Sequence, residues 1–219
     1  MTDDERTPSR PRETNLNPAN IVTIARILLI PLFLVVLLTP PPWPQAVVPW
    51  WATWAPWVAA FVFALLAATD AVDGYLARSR NQVTTFGKFI DPLADKLLVT
   101  AALIGLVQLG EVPAWIAILI ISREFIVSGL RMVAVAEGKV ISASPLGKLK
   151  TVAQTVAIVM FILKGPKLAA VIGAPAAVWF GWAAWAVMLV AVALTIWSMI
   201  DYFYGARDVL AGPWRRDRG

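Results

Sequence analysis

Long apolar runs broken by short polar stretches fill the chain from about residue 21 onward. A run of roughly 20 apolar residues matches the hydrocarbon thickness of a bilayer. Six such runs predict helices over Ile21–Thr39, Trp51–Ala71, Pro92–Leu109, Pro113–Ala136, Leu149–Leu163 and Ala176–Phe203. The fifth is short for a span and the last is long. Between the first two, Pro40, Pro41, Pro42 and Pro44 exclude a helix and predict a short non-cytoplasmic connection. Trp43, Trp50, Trp51, Trp54 and Trp57 cluster around it as an interfacial aromatic belt, while Trp182, Trp185 and Trp197 suit packing against lipid or neighbouring helices. After the second run, Ser79–Phe86 is a short polar connection that would fold two helix ends back beside one another.

Composition agrees with this pattern. Of 219 residues, 59% are hydrophobic and only 15% charged, and the mean hydropathy is +0.71. A soluble domain of this length needs far less apolar content. The expected class is an all-α integral membrane protein with six transmembrane helices. Three parts are expected: a polar N-terminal tail (1–15), a transmembrane domain (16–204) and a basic C-terminal tail (205–219). No small-residue cleavage site follows the first apolar run, so that run is expected to stay in the mature protein.

Charge adds orientation. The net charge is +5 and the pI about 9.8, yet the cations sit beside the spans and form no single soluble face, so nucleic acid is not an expected partner. Arg6, Arg10 and Arg12 precede the first span; Arg78, Arg80 and Lys88 follow the second; Arg131, Lys139, Lys148 and Lys150 follow the fourth; Arg207, Arg215, Arg216 and Arg218 follow the last. The opposite side has only Lys164 and Lys167, with Glu111 as its one acid. The positive-inside rule then puts both termini in the cytoplasm of a multi-pass cell-membrane protein. Cysteine and histidine are both absent, which removes thiol catalysis, phosphohistidine intermediates and any imidazole base. Proton transfer must fall to carboxylates, Lys, Tyr or water.

The chemistry concentrates in one stretch, Asp70-x2-Asp73-Gly74-x2-Ala77-Arg78-x8-Gly87-x3-Asp91-x3-Asp95. Spacings of three and four put carboxylates on one helical face, so Asp70 and Asp73 converge from one helix and Asp91 and Asp95 from the next. Four clustered like charges need a cation between them, and an oxygen-only set suits Mg2+, Mn2+ or Ca2+ better than zinc or copper. The plainer alternative is helix capping, with Asp91 before Pro92 as an N-cap; it accommodates one aspartate but not four. Gly74 and Gly87 leave room for a ligand near the backbone or for close helix packing.

Other ionisable groups lie within or beside spans, where they are costly and usually functional. Lys96 adjoins Asp95, where it either neutralises that carboxylate or meets substrate. Arg26 lies beyond Asn20 and Thr23, which open the first span within reach of a nucleotide or pyrophosphate. Ser122, Arg123, Glu124, Ser128 and Arg131 precede Gly147, Lys148, Lys150, Thr151 and Gln154. Arg123 and Arg131 are two turns apart on similar faces, and Lys148 and Lys150 open the following span. Converging guanidinium and ammonium groups make a phosphate clamp; ordinary membrane anchoring accounts better for Lys139 than for the deeper Arg123.

The aspartate pattern resembles the signature of the CDP-alcohol phosphotransferase family, with every fixed position filled. The resemblance runs from about Asn15 to Tyr204. Within the family, Asn15–Pro31 and Ser122–Gln154, the latter through Arg123–Arg131 and Gly147–Gln154, look most like the bacterial phosphatidylglycerophosphate synthase branch. That resemblance implies a six-helix membrane enzyme, often a homodimer, surrounded by membrane lipid. It would move the phosphatidyl group of CDP-diacylglycerol to sn-glycerol 3-phosphate with release of CMP. It also implies Mg2+ or Mn2+, two ions, held by Asp70, Asp73, Asp91 and Asp95, with Asp95 also the catalytic base. Asn20, Thr23, Gly74, Arg78 and Thr84 would contact CDP-diacylglycerol. Arg123, Arg131, Lys148 and Lys150 would bind the glycerol phosphate. Competing readings are the same chemistry on inositol phosphate, phosphatidylglycerol or serine, and a divalent-cation transporter with an intramembrane carboxylate path.

Overall fold

A computed structural model gives the fold. It describes residues 18–38, 49–80, 85–136 and 145–210, with side chains for 24–38, 53–69, 96–135, 147–205 and 207. Among the described residues there are seven helices and no strand: α1 Pro18–Leu38, α2 Pro49–Arg80, α3 Thr85–Gln108, α4 Ala114–Ala136, α5 Pro145–Leu163, α6 Pro166–Ile172 and α7 Ala174–Leu210. The N-terminal tail, the proline run at 40–44, Trp43, Thr84, Lys139 and the arginines at 215, 216 and 218 lie outside the described residues.

Each apolar run forms a helix, and two helices run past their apolar stretches. α2 does not stop near Ala71 but continues to Arg80, and α3 starts at Thr85 rather than near Pro92. At 1.5 Å per residue, the 32 residues of α2 make a rod of about 48 Å, well beyond a hydrocarbon core of roughly 30 Å. The extra turns carry Asp70, Asp73, Gly74 and Arg78. The expected connection Ser79–Phe86 therefore contracts, since Ser79, Arg80, Thr85 and Phe86 are helical. Asp91 falls in the second turn of α3, which does not suit an N-cap.

The short α6 was not foreseen. Gly165, with φ 139°, ends α5 and lets the chain bend by 85° into α6. A residue with a Cβ would be strained there. At the α3–α4 turn, Gly110 adopts φ 72° and its N–H bonds the Val107 carbonyl at 3.0 Å.

The core is apolar and continuous across α1, α2, α3, α4, α5 and α7, with Phe33, Phe63, Leu103, Ile116, Phe161 and Met188 fully buried. α5 packs most extensively on α7, α1 lies against α2 and α3, and α4 touches α3 and α7. Close approach of α1 and α3 uses Gly105, where a Cβ would stand 2.6 Å from a Leu37 methyl; small residues at helix contacts serve this purpose in membranes. The outside is equally apolar. Leu28, Phe61, Ile104, Ile118, Val152 and Trp182, on six different helices, are each more than half exposed, which exceeds what a water-soluble surface carries. By length and composition, Ala174–Gly205 is long and apolar enough to cross a membrane, and Gly147–Leu163 with Pro166–Ile172 passes only as a bent pair.

Candidate functional site

The two halves of the aspartate signature sit on helices that pack against each other. Asp70, Asp73, Gly74 and Arg78 belong to α2, Asp91 and Asp95 to α3, and α2 contacts α3. Asn20 and Thr23 belong to α1, which contacts both. The side chains of Asn20, Thr23, Asp70, Asp73, Arg78, Asp91 and Asp95 lie outside the described residues, as does Thr84 entirely. As a donor set, four carboxylates spaced three and four apart on packed helices fit a hard divalent cation. No other cluster of three or more metal-binding side chains occurs among the described residues.

A second polar centre joins α4, α5 and α7. Arg123, on α4, donates from Nη1 to Glu124 Oε1 at 3.2 Å and from Nη2 to Ser198 Oγ on α7 at 2.6 Å. Lys150, from the second turn of α5, pairs with the same Glu124 oxygen. One carboxylate thus anchors two cations brought from two helices. Arg123 and Lys150 are buried, at 8% and 2% exposure. A buried charge survives only when paired and hydrogen-bonded, and Glu124 is a partner that both share. Arg131 lies within electrostatic range of Arg123.

Of the four cations expected to clamp a phosphate, the structure brings Arg123 and Lys150 together on Glu124, with Arg131 two turns further along α4. Arg131 and Lys148 are exposed, at the surface end of this cluster. Arg26, on α1, is buried as its intramembrane position implied. Two residues escaped the sequence reading: Ser198 and Tyr202 on α7, both buried. Tyr202 packs against Val127, one turn beyond Arg123. A polar pair four residues apart in an apolar helix was the available signal, but nothing local ties Ser198 to an arginine 75 positions away.

At the far end of α5, Lys164 pairs with Glu111 at 2.9 Å and reaches the Glu111 carbonyl at 3.4 Å. Its ammonium lies 4.1 Å from the Phe161 ring centre and 5.2 Å from that of Trp185.

Residues 16–197 match the family model described as CDP-alcohol phosphatidyltransferase. The chain is 51% identical over 148 residues to the CDP-diacylglycerol–glycerol-3-phosphate 3-phosphatidyltransferase of Bacillus subtilis, covering 67% of this chain and 77% of the relative. It is 41% identical over 197 residues to a probable phosphatidylglycerophosphate synthase of Mycobacterium tuberculosis, covering 88% and 83%. To the CDP-diacylglycerol–glycerol-3-phosphate 3-phosphatidyltransferase of Escherichia coli it is 37% identical over 196 residues, covering 87% and 95%. With the family model matched over most of its length and the aspartate signature filled at every position, the chain belongs to the CDP-alcohol phosphatidyltransferase family.

Proposed function

We propose that this chain is a CDP-diacylglycerol–glycerol-3-phosphate 3-phosphatidyltransferase. It transfers the phosphatidyl group of CDP-diacylglycerol to sn-glycerol 3-phosphate and releases CMP. The observation that carries this reading is the complete Asp70–Asp95 signature, its halves on two helices that pack together. The printed names of the relatives favour glycerol 3-phosphate as acceptor, and the cationic cluster of Arg123, Lys150, Arg131 and Lys148 suits an acceptor that bears a phosphate.

Enzymes of this family use divalent metal ions. Two ions of Mg2+ or Mn2+, held by Asp70, Asp73, Asp91 and Asp95, would supply charge neutralisation at the pyrophosphate and on departing CMP. Asn20, Thr23, Gly74, Arg78 and Thr84 bind and orient the CDP moiety. Arg123, Arg131, Lys148 and Lys150 hold the acceptor by its phosphate and direct its primary hydroxyl. Asp95 takes the proton of that hydroxyl as its oxygen bonds to the phosphatidyl phosphorus. The bond from this phosphorus to the CMP oxygen breaks, and CMP carries away the electron pair. The acyl chains stay in the bilayer throughout.

Six spans, α1 to α5 and α7, fit the apolar surface that each of these helices exposes. The distribution of Lys and Arg favours cytoplasmic tails and a cytoplasmic active site. A homodimer is part of the same proposal, by resemblance to the family.

The test is CMP release by protein purified in detergent, with CDP-diacylglycerol and a panel of acceptors. Release should require glycerol 3-phosphate, stop with a chelator and resume with Mg2+ or Mn2+. Faster release with inositol phosphate or serine would overturn the acceptor assignment. Absence of release with every acceptor would overturn the transferase reading.

A further inference from the structure

Arg26 is the one charged residue of α1, and it is only 3% exposed. It begins a buried row on that helix, Arg26, Ile30, Phe33 and Leu37, whose steps of four, three and four keep one face of α1 inside the core. A buried guanidinium is stable only beside an opposite charge. α1 packs against α2 and α3, and the only acids on those two helices are Asp70, Asp73, Asp91 and Asp95. On these helices its counter-charge can come only from the aspartate signature.

Two contacts set the register. Ten residues join α1 to α2 and four join α2 to α3, lengths that make successive helices antiparallel. The rings of Phe33 and Phe63 meet with centroids 5.7 Å apart. Seven residues back from Phe33 is Arg26, and seven residues on from Phe63 is Asp70. Seven residues make two turns, so Asp70 continues the buried row Ala59, Phe63 and Leu66 at the level of Arg26, again in steps of four, three and four. On α3, which runs parallel to α1, the close approach of Leu37 to Gly105 gives a second reference. Eleven residues back from these are Arg26 and Ala94, so a small residue of α3 stands in register with the arginine and Asp95 lies to one side. Asp70 is thus the aspartate whose helix position matches that of Arg26. We propose that Arg26 is a positioning residue: its guanidinium pairs with the Asp70 carboxylate across the α1–α2 seam and holds the α2 half of the signature in place.

The pair is tested by a double-variant cycle in melting temperature, in detergent with a chelator. Arg26→Met should lower the melting temperature by leaving a carboxylate without its counter-charge. The double variant that adds Asp70→Asn should melt no lower than Arg26→Met, because both changes remove one interaction. If Arg26→Met alone does not survive purification, the double variant should. Arg26→Lys keeps the charge and should lose less than Arg26→Met. This arm needs no turnover, so the pair is tested apart from the transferase reading on which the kinetic arm rests. There, Arg26→Met should lower kcat about 10–100-fold, the loss expected when a group that orients a metal-binding side chain is removed, with the KM for glycerol 3-phosphate unchanged. Additive losses of melting temperature in the double variant would overturn the proposal, as would an Arg26→Lys variant that loses as much as Arg26→Met. A rise confined to the KM for CDP-diacylglycerol would also overturn it and give Arg26 to the pyrophosphate.

Discussion

The two ends of α5 carry the same kinds of groups in different states of satisfaction. At one end Lys164 has a carboxylate, a carbonyl and two aromatic faces. At the other, about 21 Å away by helix rise between Lys150 and Lys164, one carboxylate serves both Arg123 and Lys150, with exposed Arg131 and Lys148 adding charge. Lys164 itself is engaged, as in a tie between the α3–α4 turn and α5, while Lys167 Nζ nearby in α6 is buried without a hydrogen-bond partner. Burial holds Lys167 below the ordinary lysine pKa. At the Glu124 end, Arg123 Nε, Tyr202 Oη and Gln154 Oε1 are buried without a hydrogen-bond partner.

The largest expected effect concerns the proposed reaction centre on α2 and α3. Asp95→Asn should lower turnover by about 10^2–10^4-fold, the range for losing a positioned base, while CDP-diacylglycerol still binds. Near-normal turnover would contradict the base assignment. Next come the two carboxylates. Glu124→Gln removes a charge shared by two buried cations and should destabilise the protein by about 3–5 kcal/mol, whereas Glu111→Gln, at a partly exposed pair, should cost about 1 kcal/mol or less. Thermal unfolding in detergent measures both, and equal losses would erase the distinction between the ends. A smaller effect is expected at Lys148, which is exposed and has no structural task in the core. Lys148→Ala should raise the KM for glycerol 3-phosphate roughly 10-fold and leave the melting temperature unchanged.

Much of this was legible in the sequence because apolar runs report helices directly. The helix at Pro113–Ala136 was expected to within a residue of α4, and α1 and α5 within a few. The reading stopped short where helix continues through polar residues. Asp70–Arg80 and Thr85–Asp91 carry the signature, so an apolar window excluded turns that backbone hydrogen bonding nonetheless sustains. The break at Gly165 was hidden because α6 is itself apolar apart from Lys167. Arg123 and Lys150 were recognisable as cations near a membrane surface, but their joint dependence on Glu124 was not. Nor was the role of Ser198 and Tyr202, since contacts between α4 and α7 leave no periodic trace in either segment.

The most direct test compares Lys150→Met with Lys164→Met, one lysine from each end of the same helix, by measuring both KM values alongside the melting temperature. Lys150→Met should raise the KM for glycerol 3-phosphate about 10-fold or more with the KM for CDP-diacylglycerol unchanged. Lys164→Met should leave both KM values unchanged and lower only the melting temperature. Acceptor KM values that rise equally in the two variants, or that rise only in Lys164→Met, would contradict the assignment of the Glu124 cluster as the acceptor site.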